Sequence, residues 1–123
     1  MHEATIAQSI LDIAVNRFNQ MPEAIAVQSI KVQLGEFRNV DLDSLQFAFN
    51  SLKTSFKGCS TSELKAEIGV AVAICQNCHQ QYHPGIDLAF RCDKCGGGID
   101  KLVSGEELNI IGITLELADA EKN

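Results

Sequence analysis

Four of the five cysteines stand as two C-x-x-C pairs, Cys75 with Cys78 and Cys92 with Cys95, separated by thirteen residues. Each pair sets two sulfurs on one tight turn, with the following amides placed to hydrogen-bond them, and two such turns facing each other make a closed tetrahedral thiolate site. Gly96, Gly97 and Gly98 let the second turn close without strain. Zn(II) is the ion such soft donors favour, with iron as the competitor. Four protein thiolates leave no position for water or substrate, so the site reads as structural. The surrounding segment is too polar to bury much surface, and metal binding then supplies the missing folding free energy. Two redox pairs or disulfides are the weaker reading, because thioredoxin-type chemistry uses a single C-x-x-C in a βαβ setting. Cys59 stands alone and reads as a small buried residue.

The rest of the 123 residues supports one compact core. Ile6, Ile10, Ile13 and Ala14 recur at helical spacing and predict a helix over residues 4–19, ended by Gln20-Met21-Pro22. Ile30, Val32 and Leu34 alternate with Lys31 and Gln33 as a half-buried strand closed by Gly35. Asp41 is placed to cap a second helix running to about Lys57, with Leu42, Leu45, Phe49, Leu52 and Phe56 as its apolar stripe and Gly58 as its stop. A long strand from Leu64 to Ile74 then runs into Cys75. Strand signal resumes after Gly105 in Leu108, Ile110, Ile111, Ile113, Leu115 and Leu117, slipping by one residue near Gly112 as a β-bulge would. The expected organisation is a core of residues 1–73 and 105–123 interrupted by a metal-bearing domain of residues 74–104.

Charge removes several function classes. Ten basic residues are scattered among sixteen acidic ones, giving −6 and a pI near 4.9. Phosphate binding draws on clustered Lys and Arg, so a nucleic-acid partner is not expected. No apolar run approaches the roughly 18 residues that span a bilayer, and the first residues lack the pattern of a secretory signal; a cytoplasmic location without a membrane partner is expected. No glycine-rich phosphate loop or Ser/His/Asp constellation rises above composition, so no enzyme is expected.

Three histidines carry the remaining metal chemistry. His79 follows Cys78 directly and His83 lies four residues further on. Both read first as solvated loop residues, and second as auxiliary metal ligands or pH sensors. His2 is more pointed. With Met1 retained, the α-amine, the His2 amide nitrogen and its imidazole form fused chelate rings, and the next amide or the Glu3 side chain completes a square. Ni(II) and Cu(II) favour such nitrogen-rich tetragonal sites.

Several segments, in order, are similar to the HypA/HybF family of nickel metallochaperones: Met1-His2-Glu3, I-K-V-Q-L-G-E at Ile30–Glu36, D-S-L-Q-F-A-F at Asp43–Phe49, the two C-x-x-C pairs, and S-G-E-E-L-N-I-I at Ser104–Ile111. One departure is Cys59, where a threonine is expected after the glycine. The resemblance implies an α+β fold, with two helices packed on a small, mainly antiparallel sheet and an inserted zinc-ribbon-like domain. It implies Ni(II) as transient cargo at Met1, His2 and Glu3, and structural Zn(II) at Cys75, Cys78, Cys92 and Cys95. The partners it implies are the GTPase HypB, the large subunit of [NiFe]-hydrogenase and, in some bacteria, the urease maturation proteins. The competing readings are a zinc-stapled protein-interaction module without nickel transfer, and a rubredoxin-like electron carrier.

Overall fold

A computed structural model describes residues 2–118. Helix α1 spans Glu3–Asn19 and buries Ile6, Ala7, Ile10, Leu11 and Ala14. Ile13, which simple spacing groups with them, is 48% exposed. At about 100° per residue, Ala7 and Ala14 centre the stripe between Ile10 and Leu11, and Ile13 falls just past its edge. Strand β1 (Ala24–Gly35) starts well before Ile30 and buries Val27, Ser29, Ile30, Val32 and Leu34. Helix α2 (Leu42–Leu52) opens as expected: Asp41 Oδ1 accepts from the amides of Asp43 at 3.0 Å and Ser44 at 3.2 Å. It ends sooner than expected, giving way to one 3-10 turn at Lys53–Ser55. Gly58 follows at φ +79, in the left-handed region, with the Phe18 ring 2.9 Å from where a Cβ would sit.

The long strand expected from Leu64 to Ile74 is two strands, β2 (Glu63–Gly69) and β3 (Val72–Cys75). At the break the Ala71 amide donates to Glu36 Oε1 at 2.7 Å, a partner far off in sequence. Three further strands follow, β4 (Gln81–Tyr82), β5 (Ile99–Ser104) and β6 (Leu108–Leu117). Two three-stranded sheets result, in the orders β2-β1-β6 and β4-β3-β5. In the second, β3 pairs antiparallel with both neighbours. The chain is therefore α+β, as expected, with the second small sheet formed by the strands that flank the cysteines. Among the described residues no helix is long and apolar enough to cross a membrane.

Contacts divide the chain into two compact units. The first takes the chain up to Val32, Val40–Ala66 and the residues from Asn109 on; α1 lies against α2, and Val27, Ile30, Leu45 and Phe49 are fully buried in it. Its buried Ser62 hydroxyl donates to the Val27 carbonyl, and no buried side-chain N or O lacks a partner among the described residues. The second unit combines Gln33–Asn39 with Glu67–Leu108. Here Gly35 is required by close approach: a Cβ on it would fall 2.2 Å from the Gly105 carbonyl carbon. The Gly35 and Phe37 amides each donate at 2.7 Å, to Glu107 O and Gly105 O.

The two isoleucine-like positions on α1 separate burial from pattern. Leu11→Ala should cost about 2–5 kcal/mol in a urea titration, whereas Ile13→Ala should stay within about 0.5 kcal/mol. Equal losses would place Ile13 in the core.

Candidate metal centre

Two turns of similar build bring the cysteines together. Cys75 ends β3, and the Asn77 and Cys78 amides point back at its Sγ at 3.4 and 3.5 Å. After Cys92, the Lys94 amide points at the Cys92 Sγ at 3.4 Å. Backbone bonds brace both turns: Gln76 N donates to Gly98 O at 2.9 Å and Cys92 N to Gly97 O at 2.8 Å. The four ligand atoms of Cys75, Cys78, Cys92 and Cys95 lie within 4.8 Å of one another. Cys75 and Cys95 sulfurs are 3.4 Å apart, those of Cys78 and Cys92 3.7 Å. Sulfurs on a tetrahedral zinc, each at about 2.3 Å, stand about 3.8 Å from one another. The donor set and its spacing fit Zn(II), which these four residues would hold as a structural cross-link. No histidine joins the group, and among the described residues no other such cluster of His, Cys, Asp or Glu forms.

The electrostatics call for a cation. The Cys78 amide, opposed by burial and helped by the Asn77 amide, draws the Cys75 thiol down to about 6. At Cys78 the Gln80 amide favours the thiolate, but burial and the neighbouring Cys75, Cys92 and Cys95 sulfurs prevail and push the thiol up to about 11. The Cys75 sulfur ionises readily and Cys78 beside it resists, a conflict that a divalent ion would relieve. Cys75 and Cys92 also belong to the second unit's apolar cluster, with Ala73 and Tyr82. The Tyr82 hydroxyl donates to Phe90 O at 2.7 Å, tying the strand after the first pair to the residues before the second.

The other candidates are placed differently. His79 is exposed in the left-handed region at φ +60, outside the sulfur cluster. His83 Nε2 meets both oxygens of Glu36, at 2.9 and 3.1 Å. The Ala71 amide first, and then His83, hold the Glu36 carboxyl below the usual carboxylate range. Glu36 is the residue that sequence reasoning leaves without a role; its only signal there is that it closes the segment Ile30–Glu36, one of those that carry the resemblance. Cys59 is fully buried in the first unit, where burial pushes its thiol up. Met1 lies outside the described residues. His2 is the N-cap of α1; its side chain makes no capping bond and is exposed, while its carbonyl accepts from Ile6 N at 3.0 Å. Glu3 is 9% exposed, and its Oε2 accepts from the Asp41 amide at 3.0 Å. His2 and Glu3 line a cleft of about 580 Å³ with Thr5, Ser44, Phe47 and Leu52.

Residues 1–115 match the family described as "Hydrogenase/urease nickel incorporation, metallochaperone, hypA". The chain is 32% identical to a hydrogenase maturation factor HypA of Methanococcus maripaludis, over 98% of this chain and 100% of that one. It is 31% identical to a hydrogenase maturation factor HypA of Streptomyces avermitilis, over 94% and 88%. It is 32% identical to the guanidine hydrolase-activating protein A of Synechocystis, over 89% and 91%. The solution structure of the Ni metallochaperone HypA from Helicobacter pylori shares the fold, with a TM-score of 0.68 at 19% identity, covering 96% of this chain and 99% of that one.

Metal analysis of purified variants tests the cluster: Cys92→Ser should lose its zinc and Cys59→Ala should keep it, and zinc retained by Cys92→Ser would remove that residue from the site. The Glu36 carboxylate makes a second, pH-dependent prediction. A carboxyl whose folded pKa is lowered stabilises above its unfolded pKa, and that contribution fades as pH falls through the folded value. The stability gap between wild type and Glu36→Gln should be full near pH 6 and narrow as pH drops below about 4. A gap that ignores pH in urea titrations would show that the charge on Glu36 contributes nothing.

Proposed function

Because this chain belongs to the HypA family of hydrogenase and urease nickel-incorporation metallochaperones, we propose that it carries one Ni(II) on its amino terminus and passes it to a partner assembling a nickel enzyme. The reading rests on His2, whose exposed side chain makes no capping bond. The first amides of a helix have no intrahelical acceptor. The His2 amide nitrogen can therefore lose its proton to a metal without costing α1 a hydrogen bond. The Met1 amine, the His2 amide and imidazole, and the Glu3 amide together supply the square nitrogen set that Ni(II) prefers. The Glu3 carboxylate meanwhile ties the first turn of α1 to the start of α2 through the Asp41 amide.

Zn(II) at Cys75, Cys78, Cys92 and Cys95 has the opposite task. Four thiolates, two of them buried, hold an ion that stays. A terminal site of a few exposed donors releases one, as delivery requires. The partners on this reading are the GTPase HypB and the [NiFe]-hydrogenase large subunit, with urease maturation proteins as the alternative destination. Phe47, 75% exposed and lining the cleft with His2, offers such a partner an apolar hold beside the cargo.

Calorimetric titration of NiCl2 into the untagged, zinc-loaded chain tests the proposal. Wild type should bind one nickel, while His2→Ala, or a chain extended ahead of Met1, should lose it and keep its zinc. Equal binding by wild type and His2→Ala, or binding by neither, would leave a zinc-stapled interaction module.

A further inference from the structure

The four clustered cysteines differ in what can reach them. Cys75 and Cys92 are buried, Cys78 is half-buried and Cys95 is exposed. Cys95 opens on water beside Gly96, where a Cβ would meet nothing within 4 Å. Cys75 and Cys92 sit instead with Ala73 and Tyr82 in the apolar cluster of the second unit. A small oxidant in solution therefore meets the Cys95 sulfur first.

The sulfur that answers it is set by distance and not by the C-x-x-C pairing. Cys75 Sγ stands 3.4 Å from Cys95 Sγ, although the two residues are 20 apart in the chain and lie on different turns. Cys78 and Cys92 are opposed across the same two turns at 3.7 Å. From exposure and distance together we infer that Cys95 and Cys75 form a peroxide-sensitive pair, whose oxidation to a disulfide across the turns releases the metal. This rests on the zinc reading of the cluster given above.

The chemistry takes two steps. The Cys95 thiolate attacks one oxygen of the peroxide; an S–O bond forms, the O–O bond breaks and hydroxide leaves. The Cys75 thiolate then attacks the sulfur of the resulting sulfenic acid; the S–S bond forms, the S–O bond breaks and a second hydroxide leaves. Two thiolates have given up two electrons, and one peroxide has become two hydroxides. The sulfurs close by roughly 1.4 Å from their present separation to reach a bond of about 2.05 Å. Cys78 and Cys92 alone remain as donors, half of a closed tetrahedral set, and the chain gives up its ion.

The turns do not come apart with it. Gln76 N to Gly98 O and Cys92 N to Gly97 O brace the backbone without using sulfur, and the new disulfide ties one turn to the other. A dithiol reductant therefore regenerates four thiolates in place, ready to take zinc again. Cys59 has no exposed surface and belongs to the first unit, so it takes no part.

Zinc in the purified full chain is measured first, since a chain without it would overturn the zinc reading and the release together. One equivalent of hydrogen peroxide is then added to the zinc-loaded chain, beside a sample without peroxide. Freed zinc is read with a chromophoric chelator, remaining thiols are alkylated, and peptides are mapped by mass spectrometry. Each peroxide consumed should free one zinc, the first disulfide should join Cys75 to Cys95, and dithiothreitol with ZnCl2 should restore the metal. Cys59→Ala should behave as wild type does. Any other first product, whether a disulfide within a turn, one between Cys78 and Cys92, one to Cys59, or a sulfonate at Cys95, would overturn the pairing. Zinc retained after the peroxide is consumed would overturn the release alone.

Discussion

Four sulfur atoms within 4.8 Å of one another form an arrangement that a polypeptide does not hold by itself. Left as thiols they are weak partners for one another; ionised, they repel. A divalent ion would make the arrangement stable, and the Zn(II) proposed for it would sit among the buried residues of the second unit. Its apolar cluster consists of Ala73, Tyr82 and the ligands Cys75 and Cys92 themselves. Strands β3, β4 and β5 are short, and β5 is largely exposed, so they bury little by themselves, and a metal on the four sulfurs would supply the missing folding free energy. The turns and the amides that brace them hold the four sulfurs where one such ion would bind.

Glu36 organises the same unit by hydrogen bonding. Its carboxylate takes the Ala71 amide, which interrupts what would be a continuous strand, and it takes the His83 ring from the excursion between the cysteine pairs. Gly35 beside it leaves no room for a side chain against Gly105. The adjacent Gly and Glu thus do separate things, one admitting a neighbouring backbone and the other collecting two distant donors.

The parts of the fold legible in the sequence are those set by near neighbours. Helical spacing located α1 and α2, the Asp41 cap is visible as an aspartate ahead of an apolar stripe, and the cysteine spacing identified the cluster. The parts that were not legible are set over distance or by weak burial. The break between β2 and β3 depends on a carboxylate 35 residues away. Strand β5 exposes most of its residues, with the pattern of a loop rather than an alternating strand. Ile13 fell outside the core because two alanines shifted the buried stripe toward Leu11. Of the candidate site, the four-cysteine cluster follows from spacing alone, whereas the roles proposed for His2 and Glu3 rest on the likeness to a family, since a terminal histidine by itself carries little information.

The second unit is assembled from two separate stretches, Gln33–Asn39 and Glu67–Leu108, so the backbone passes between units four times. A segment excised around the cysteines alone would leave behind Glu36 and Gly35, and with them the acceptor for Ala71 and the partner of His83. The cysteine-bearing portion is therefore no interchangeable cassette: one continuous excision takes only part of the unit and leaves the rest in the helical portion.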